Sequence, residues 1–73
     1  MTPRDYLLFR LASAPGDYND LTEGVKLEEK RAYYSALQQL VAEGLVTRHT
    51  GEDDDEFPIY TITAEGRYAI AQL

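Results

Sequence analysis

Seventy-three residues, 44% of them hydrophobic, are enough for one small core and exclude a second, so residues 1–73 are expected to form a single domain. The chain has no cysteine, which excludes a disulfide framework, a thiolate metal site and a thiol nucleophile. Its net charge of −6 has a local origin: Glu52, Asp53, Asp54, Asp55 and Glu56 are five of the 13 acidic residues, leaving eight against seven basic ones elsewhere.

Thr2, Pro3 and Asp5 form a helix start, with a hydroxyl cap, a proline at the first helical position and a carboxylate at the positive end of the dipole. Leu7, Leu8, Leu11 and Ala12 continue as one apolar stripe, and Pro15-Gly16 ends the helix. This polar start and short apolar run are neither a secretory signal nor a membrane span, so the cytoplasm is the expected compartment. Asn19 or Asp20 is placed to cap a second, short helix, with Leu21 and Val25 on one side and Leu27 closing the turn behind it. Gly24 weakens that helix in isolation, so packing must hold it.

The spacing predicts a third helix from Glu28 to Glu43, with Glu28 and Glu29 in its N-terminal turn and Gly44 as its stop. At about 100° per residue, Tyr33, Ala36, Leu37, Leu40 and Val41 share one face, and Glu28, Arg31, Ser35, Gln38 and Ala42 the other. Leu45 to His49 then reads as a strand, paired with Ile59 to Thr63, in which Tyr60 and Ile62 face one way. The residues from Thr50 to Pro58 connect them. Thr63 is placed to cap a last short helix carrying Tyr68, Ile70 and Leu73. Phe9 falls opposite the stripe of the first helix and needs a cover. The C-terminal segment is expected to supply it within the same chain, which favours a monomer over a two-fold dimer.

His49 is the only histidine, and no serine or acid stands at a spacing that would make a nucleophile and base, so no catalytic residue is expected. The run from Glu52 to Glu56 lacks the alternating ligands and glycine turn of a calcium loop, so no metal or cofactor is expected either.

Four stretches taken together resemble the winged helix-turn-helix domains of bacterial and phage transcription regulators. They are Leu21-Thr-Glu-Gly-Val25-Lys-Leu27, Tyr33 with Leu37, Leu40-Val-Ala-Glu-Gly44-Leu-Val46, and Tyr60-Thr-Ile-Thr63-Ala-Glu-Gly66-Arg. The resemblance implies an α+β fold with three helices, a two-stranded β-hairpin wing and a short C-terminal helix. It makes residues 28–43 the recognition helix and His49 to Ile59 the wing. Arg31, Ser35 and Gln38, with Tyr34 on the flank, would then face the major groove, where arginine can pair with guanine and glutamine with adenine. Lys26, Lys30 and Arg48 would add phosphate contacts.

Charge argues the other way. Five carboxylates on the wing would meet phosphates of like sign, and Glu28 and Glu29 occupy the helix turn that usually reaches bases. Each close carboxylate–phosphate approach costs on the order of 1 kcal/mol or more. The reading that charge favours is an acidic winged-helix regulator, encoded by a phage or mobile element. It would bind a basic surface on a nucleic-acid-related protein such as the transcription machinery. Its contacts would be Glu52, Asp53, Asp54, Asp55 and Glu56 on the wing, and Glu28, Lys30, Arg31, Tyr34, Ser35 and Gln38 on the helix. The alternative is a sequence-specific DNA-binding regulator that reads the groove with helix 28–43 and keeps its wing clear. A solvated hairpin tip and a plain solvent-facing helix side are the structural alternatives to both.

Overall fold

The computed structural model describes residues 1–50 and 57–73. Helix α1 spans Pro3–Ser13, α2 Tyr18–Leu21 and α3 Leu27–Ala42; strands β1 (Val46–His49) and β2 (Ile59–Ile62) follow, then α4, Ala64–Ala71. This is the α+β winged helix-turn-helix arrangement that the sequence predicts. The strands pair antiparallel, with Val46 opposite Ile62 and His49 opposite Ile59. The residues expected at the wing tip, Glu52 to Glu56, lie outside the described residues.

Helix α1 starts as its sequence dictates, since the Asp5 amide donates to the Thr2 hydroxyl at 3.2 Å. Helix α2 starts earlier than expected. Asp17, not Asn19 or Asp20, is its cap: the Asp20 amide donates to the Asp17 carboxylate at 2.8 Å, and the Asp17 amide donates back to Asp20 at 3.4 Å. Asp20 is thus the third-position partner in a capping box. The helix is only four residues long, and Gly24 at φ 85° turns the chain out of it.

The core joins all the layers. Leu7, Leu8 and Leu11 of α1 meet Leu21, then Leu37 and Leu40 of α3, and finally Val46, Tyr60 and Ile62 of the hairpin. Helix α3 stops in a Schellman turn, with the Leu45 amide donating to the Leu40 carbonyl at 3.0 Å and the Gly44 amide to the Val41 carbonyl at 3.1 Å. Gly44 sits at φ 79°, where only glycine is unstrained.

The "Ile-Thr-x-x-Gly" stretch after β2 owes its composition to packing. The Thr63 hydroxyl accepts from the Gly66 amide at 3.1 Å, capping α4, and donates to the Gly44 carbonyl at 2.9 Å, tying α4 to the end of α3. Gly66 is buried where α4 crosses the Leu45 carbonyl.

Two arrangements differ from expectation. Gly16 extends the sheet beyond the two predicted strands: its amide donates to the Tyr60 carbonyl at 3.2 Å and its carbonyl accepts from the Tyr60 amide at 2.8 Å. The expected cover over Phe9 does not form. Ile70 packs against the core, but Phe9 remains 41% exposed and Tyr68 69% exposed, and Leu73 is exposed as well. Gly66 and Ile70, four residues apart, share the inward side of α4, and Tyr68 between them falls on the opposite side.

Candidate nucleic-acid interface

The outward side of α3 is positioned by two aromatic contacts to the helices before it. Tyr6 of α1 meets Tyr33 edge to face at 5.5 Å, and Tyr18 of α2 meets Tyr34 in the same way at 5.4 Å. The Tyr18 hydroxyl also donates to the Lys30 carbonyl at 2.6 Å, which fixes α2 against the first turns of α3. Sequence reasoning passed over Tyr18, whose acceptor lies 12 residues further on and leaves no local signal.

Burial pushes the Tyr18 phenol above its ordinary pKa, and the neighbouring Tyr34 adds to the shift. The folded state therefore favours the neutral phenol, which is also the form that can donate to Lys30. This contribution is complete below the ordinary tyrosine value of about 10 and is lost as pH rises through the raised one. Tyr18→Phe should accordingly cost about 1 kcal/mol at pH 7. Urea melts of both proteins from pH 7 to pH 11 should show the gap closing at the alkaline end; a gap independent of pH would show that the hydroxyl does no such work.

The predicted helix residues are not all presented alike. Glu28, Arg31 and Ser35 are exposed on the outward side, Tyr34 is exposed on the α2 flank, and Lys30 is half-buried. Gln38 differs from the expected groove-facing position. It is half-buried, and its side-chain amide donates to the Tyr60 hydroxyl at 2.9 Å, binding α3 to the hairpin. Gln39 is exposed instead. At about 100° per residue Gln38 falls within roughly 20° of Arg31, so periodicity places it on the outward side and only its distant Tyr60 partner draws it in. The exposed Leu27 at the first position of α3 was missed as well.

The basic residues divide by location. On α1, Arg4 pairs with Glu43 at the end of α3, and Arg10 donates to the Asp20 carbonyl at 2.8 Å. Lys26, Lys30 and Arg31 at the head of α3, and Arg48 on β1, have no side-chain hydrogen bond or ion pair among the described residues. The α1 arginines thus serve the fold, whereas the cations of α3, β1 and, with Arg67, α4 make no side-chain bond among the described residues.

With helix-turn-helix, hairpin and α4 in place, the chain is a winged helix-turn-helix domain. Solved structures carry the same arrangement. PadR of Bacillus subtilis, in complex with operator DNA, superposes with a TM-score of 0.78 at 22% identity, over 94% of this chain and 44% of that one. The transcriptional regulator YodB of B. subtilis, in its reduced form, gives 0.78 at 20% identity, over 94% of this chain and 68% of that one. The transcriptional regulator BldR of Sulfolobus solfataricus gives 0.78 at 25% identity, over 96% of this chain and 50% of that one. The chain therefore spans about half to two thirds of the length of these regulators, and at such identities the likeness is one of fold. No family model and no curated protein matches it. No helix among the described residues is long and apolar enough to cross a membrane.

Proposed function

We propose that this chain is the DNA-reading domain of a transcription regulator, which enters the major groove with α3 and holds the acidic hairpin tip clear of the phosphates. The observation that carries this reading is the division of the basic side chains. Among the described residues Arg4 and Arg10 of α1 are engaged within the fold, whereas Lys26, Lys30, Arg31 and Arg48, like Arg67 of α4, make no side-chain bond, and the first three of these stand together at the head of α3 on the same helix as the exposed Glu28, Ser35 and Gln39. Its neighbours of known structure support it, since they are regulators and one of them is bound to operator DNA. In this arrangement Arg31 reads base edges, with Ser35 and Gln39 behind it, and the two lysines and Arg48 hold phosphates.

Three or four phosphate contacts imply a definite salt response. Raising salt from 50 to 200 mM should weaken binding to a selected duplex by roughly 40- to 150-fold, from a slope of about −0.9 per phosphate. Binding to arbitrary duplex at about 150 mM salt should be weaker than ~0.1 mM, the weak end of the usual non-specific range, because the net charge of −6 opposes approach to any duplex. Selection from a randomised duplex pool, followed by fluorescence anisotropy across that salt range, tests both. A pool that yields no enriched sequence would refute the proposal.

A second reading rests on the charge of Glu52 to Glu56, which suits a basic surface on transcription machinery better than it suits DNA. Under that reading a lysate partner stays bound to the chain after nuclease digestion. Under the DNA reading the bound material is lost with the nucleic acid.

A further inference from the structure

We propose that Leu27 is a specificity-determining residue that packs its side chain against the C5-methyl group of a thymine; this rests on the DNA reading above. Leu27 is 84% exposed, whereas Leu7, Leu8, Leu11, Leu21, Leu37 and Leu40 are each at most 2% exposed. Among the described residues it belongs neither to the core nor to the side chains packed against it, and its neighbours Lys26, Glu28 and Glu29 are all charged and exposed.

Its position suggests what it meets. Leu27 is the first residue of the 16-residue α3. Side chains lean toward the N-terminus of their own helix, so Leu27 is the foremost side chain of the element that enters the groove. Recognition helices of this kind touch base edges with their N-terminal residues. The major groove presents hydrogen-bond donors and acceptors with one apolar exception, the methyl group of thymine. A leucine at the tip covers that methyl and gains nothing from the polar edges of the other bases.

Arg31 lies one turn further along the same strip, four residues on. One helical turn, about 5.4 Å, corresponds to roughly two base-pair steps of 3.4 Å. The bound site should therefore contain a thymine and a guanine about two base pairs apart, read by Leu27 and Arg31.

The test uses the duplex selected by the chain itself. Each enriched thymine is replaced in turn by uracil, which removes the methyl group and preserves pairing. At one position the unaltered chain should bind about fourfold more weakly, the fold-change for withdrawing one buried methyl group. Leu27→Ser should bind the thymine and uracil duplexes equally while melting like the parent, since the residue contributes no core. The inference is overturned if uracil has no effect at any enriched position, or if the fourfold loss persists in Leu27→Ser. Failure to enrich any sequence would instead remove the DNA reading, and this assignment with it.

Discussion

Replacing Gly66 with alanine is expected to destabilise the domain by about 2–3 kcal/mol. A Cβ there would lie 2.3 Å from the Leu45 carbonyl oxygen and 2.6 Å from Cγ1 of Ile62. The first obstacle is backbone and cannot rotate aside, so α4 must lift away from the chain that joins α3 to β1. Overpacking costs typically 1–3 kcal/mol and more where the obstacle is fixed, as this carbonyl is, so a cost of about 3–4 kcal/mol less the ~1 kcal/mol that alanine recovers through helix propensity leaves about 2–3 kcal/mol. A 73-residue domain has in all only about 4–11 kcal/mol. The melting temperature should therefore fall by roughly 8–24 °C. Thermal melts of the two proteins decide it, and a variant as stable as the parent would mean that α4 does not approach Leu45 in this way.

Leu37→Ala should be as damaging or more so. Leu37 is fully buried among side chains of α1 and the hairpin, and truncating a buried leucine typically costs about 3–5 kcal/mol, depending on how far the cavity collapses. The internal control is Leu27→Ala, ten residues earlier on the same helix. There the side chain is exposed, and the expected change is within about 0.5 kcal/mol. Urea melts with unchanged slope would attribute the difference to stability alone. Equal losses at the two sites would contradict the orientation of α3.

What could be read from the sequence was local or periodic. The leucine stripe of α1, the inward face of α3, the alternation of Tyr60 and Ile62 and the stop at Gly44 each depend on residues within a turn or two, and each is found where its pattern puts it. What could not be read depends on distant partners. Gln38 is drawn off the outward face by a tyrosine 22 residues away, and Gly16 joins a strand 44 positions further on. Asp17 rather than Asn19 or Asp20 caps α2 because the two aspartates are chemically alike in sequence and only their mutual bonds set which comes first. Phe9 stays uncovered because Gly66 and Ile70 take the inward side of α4 and leave Tyr68 and Leu73 exposed, a division set by how α4 docks rather than by its apolar residues. Periodicity leaves Glu28, Arg31 and Ser35 on the exposed side of α3, where they are found, but carries no information on which cations the fold engages, since Arg4 and Arg10 find their partners only in three dimensions.

Tyr60 bears on how such a domain can diversify. Its main chain pairs with Gly16 and its hydroxyl with Gln38, so the base of the hairpin is joined at once to the end of α1 and to α3. Substitutions, insertions and charge changes beyond His49 and before Ile59 meet a junction already fixed behind them, and doubling the length of such a connection costs only about 0.6 kcal/mol in closure entropy. Mutation can therefore rework the tip, including its run of acids, without re-aiming the helix. The connection between His49 and Ile59 and the exposed side of α3 are thus free to vary independently, and the run of acids could give way to basic residues in a few steps with α3 still held by Tyr60 through Gln38.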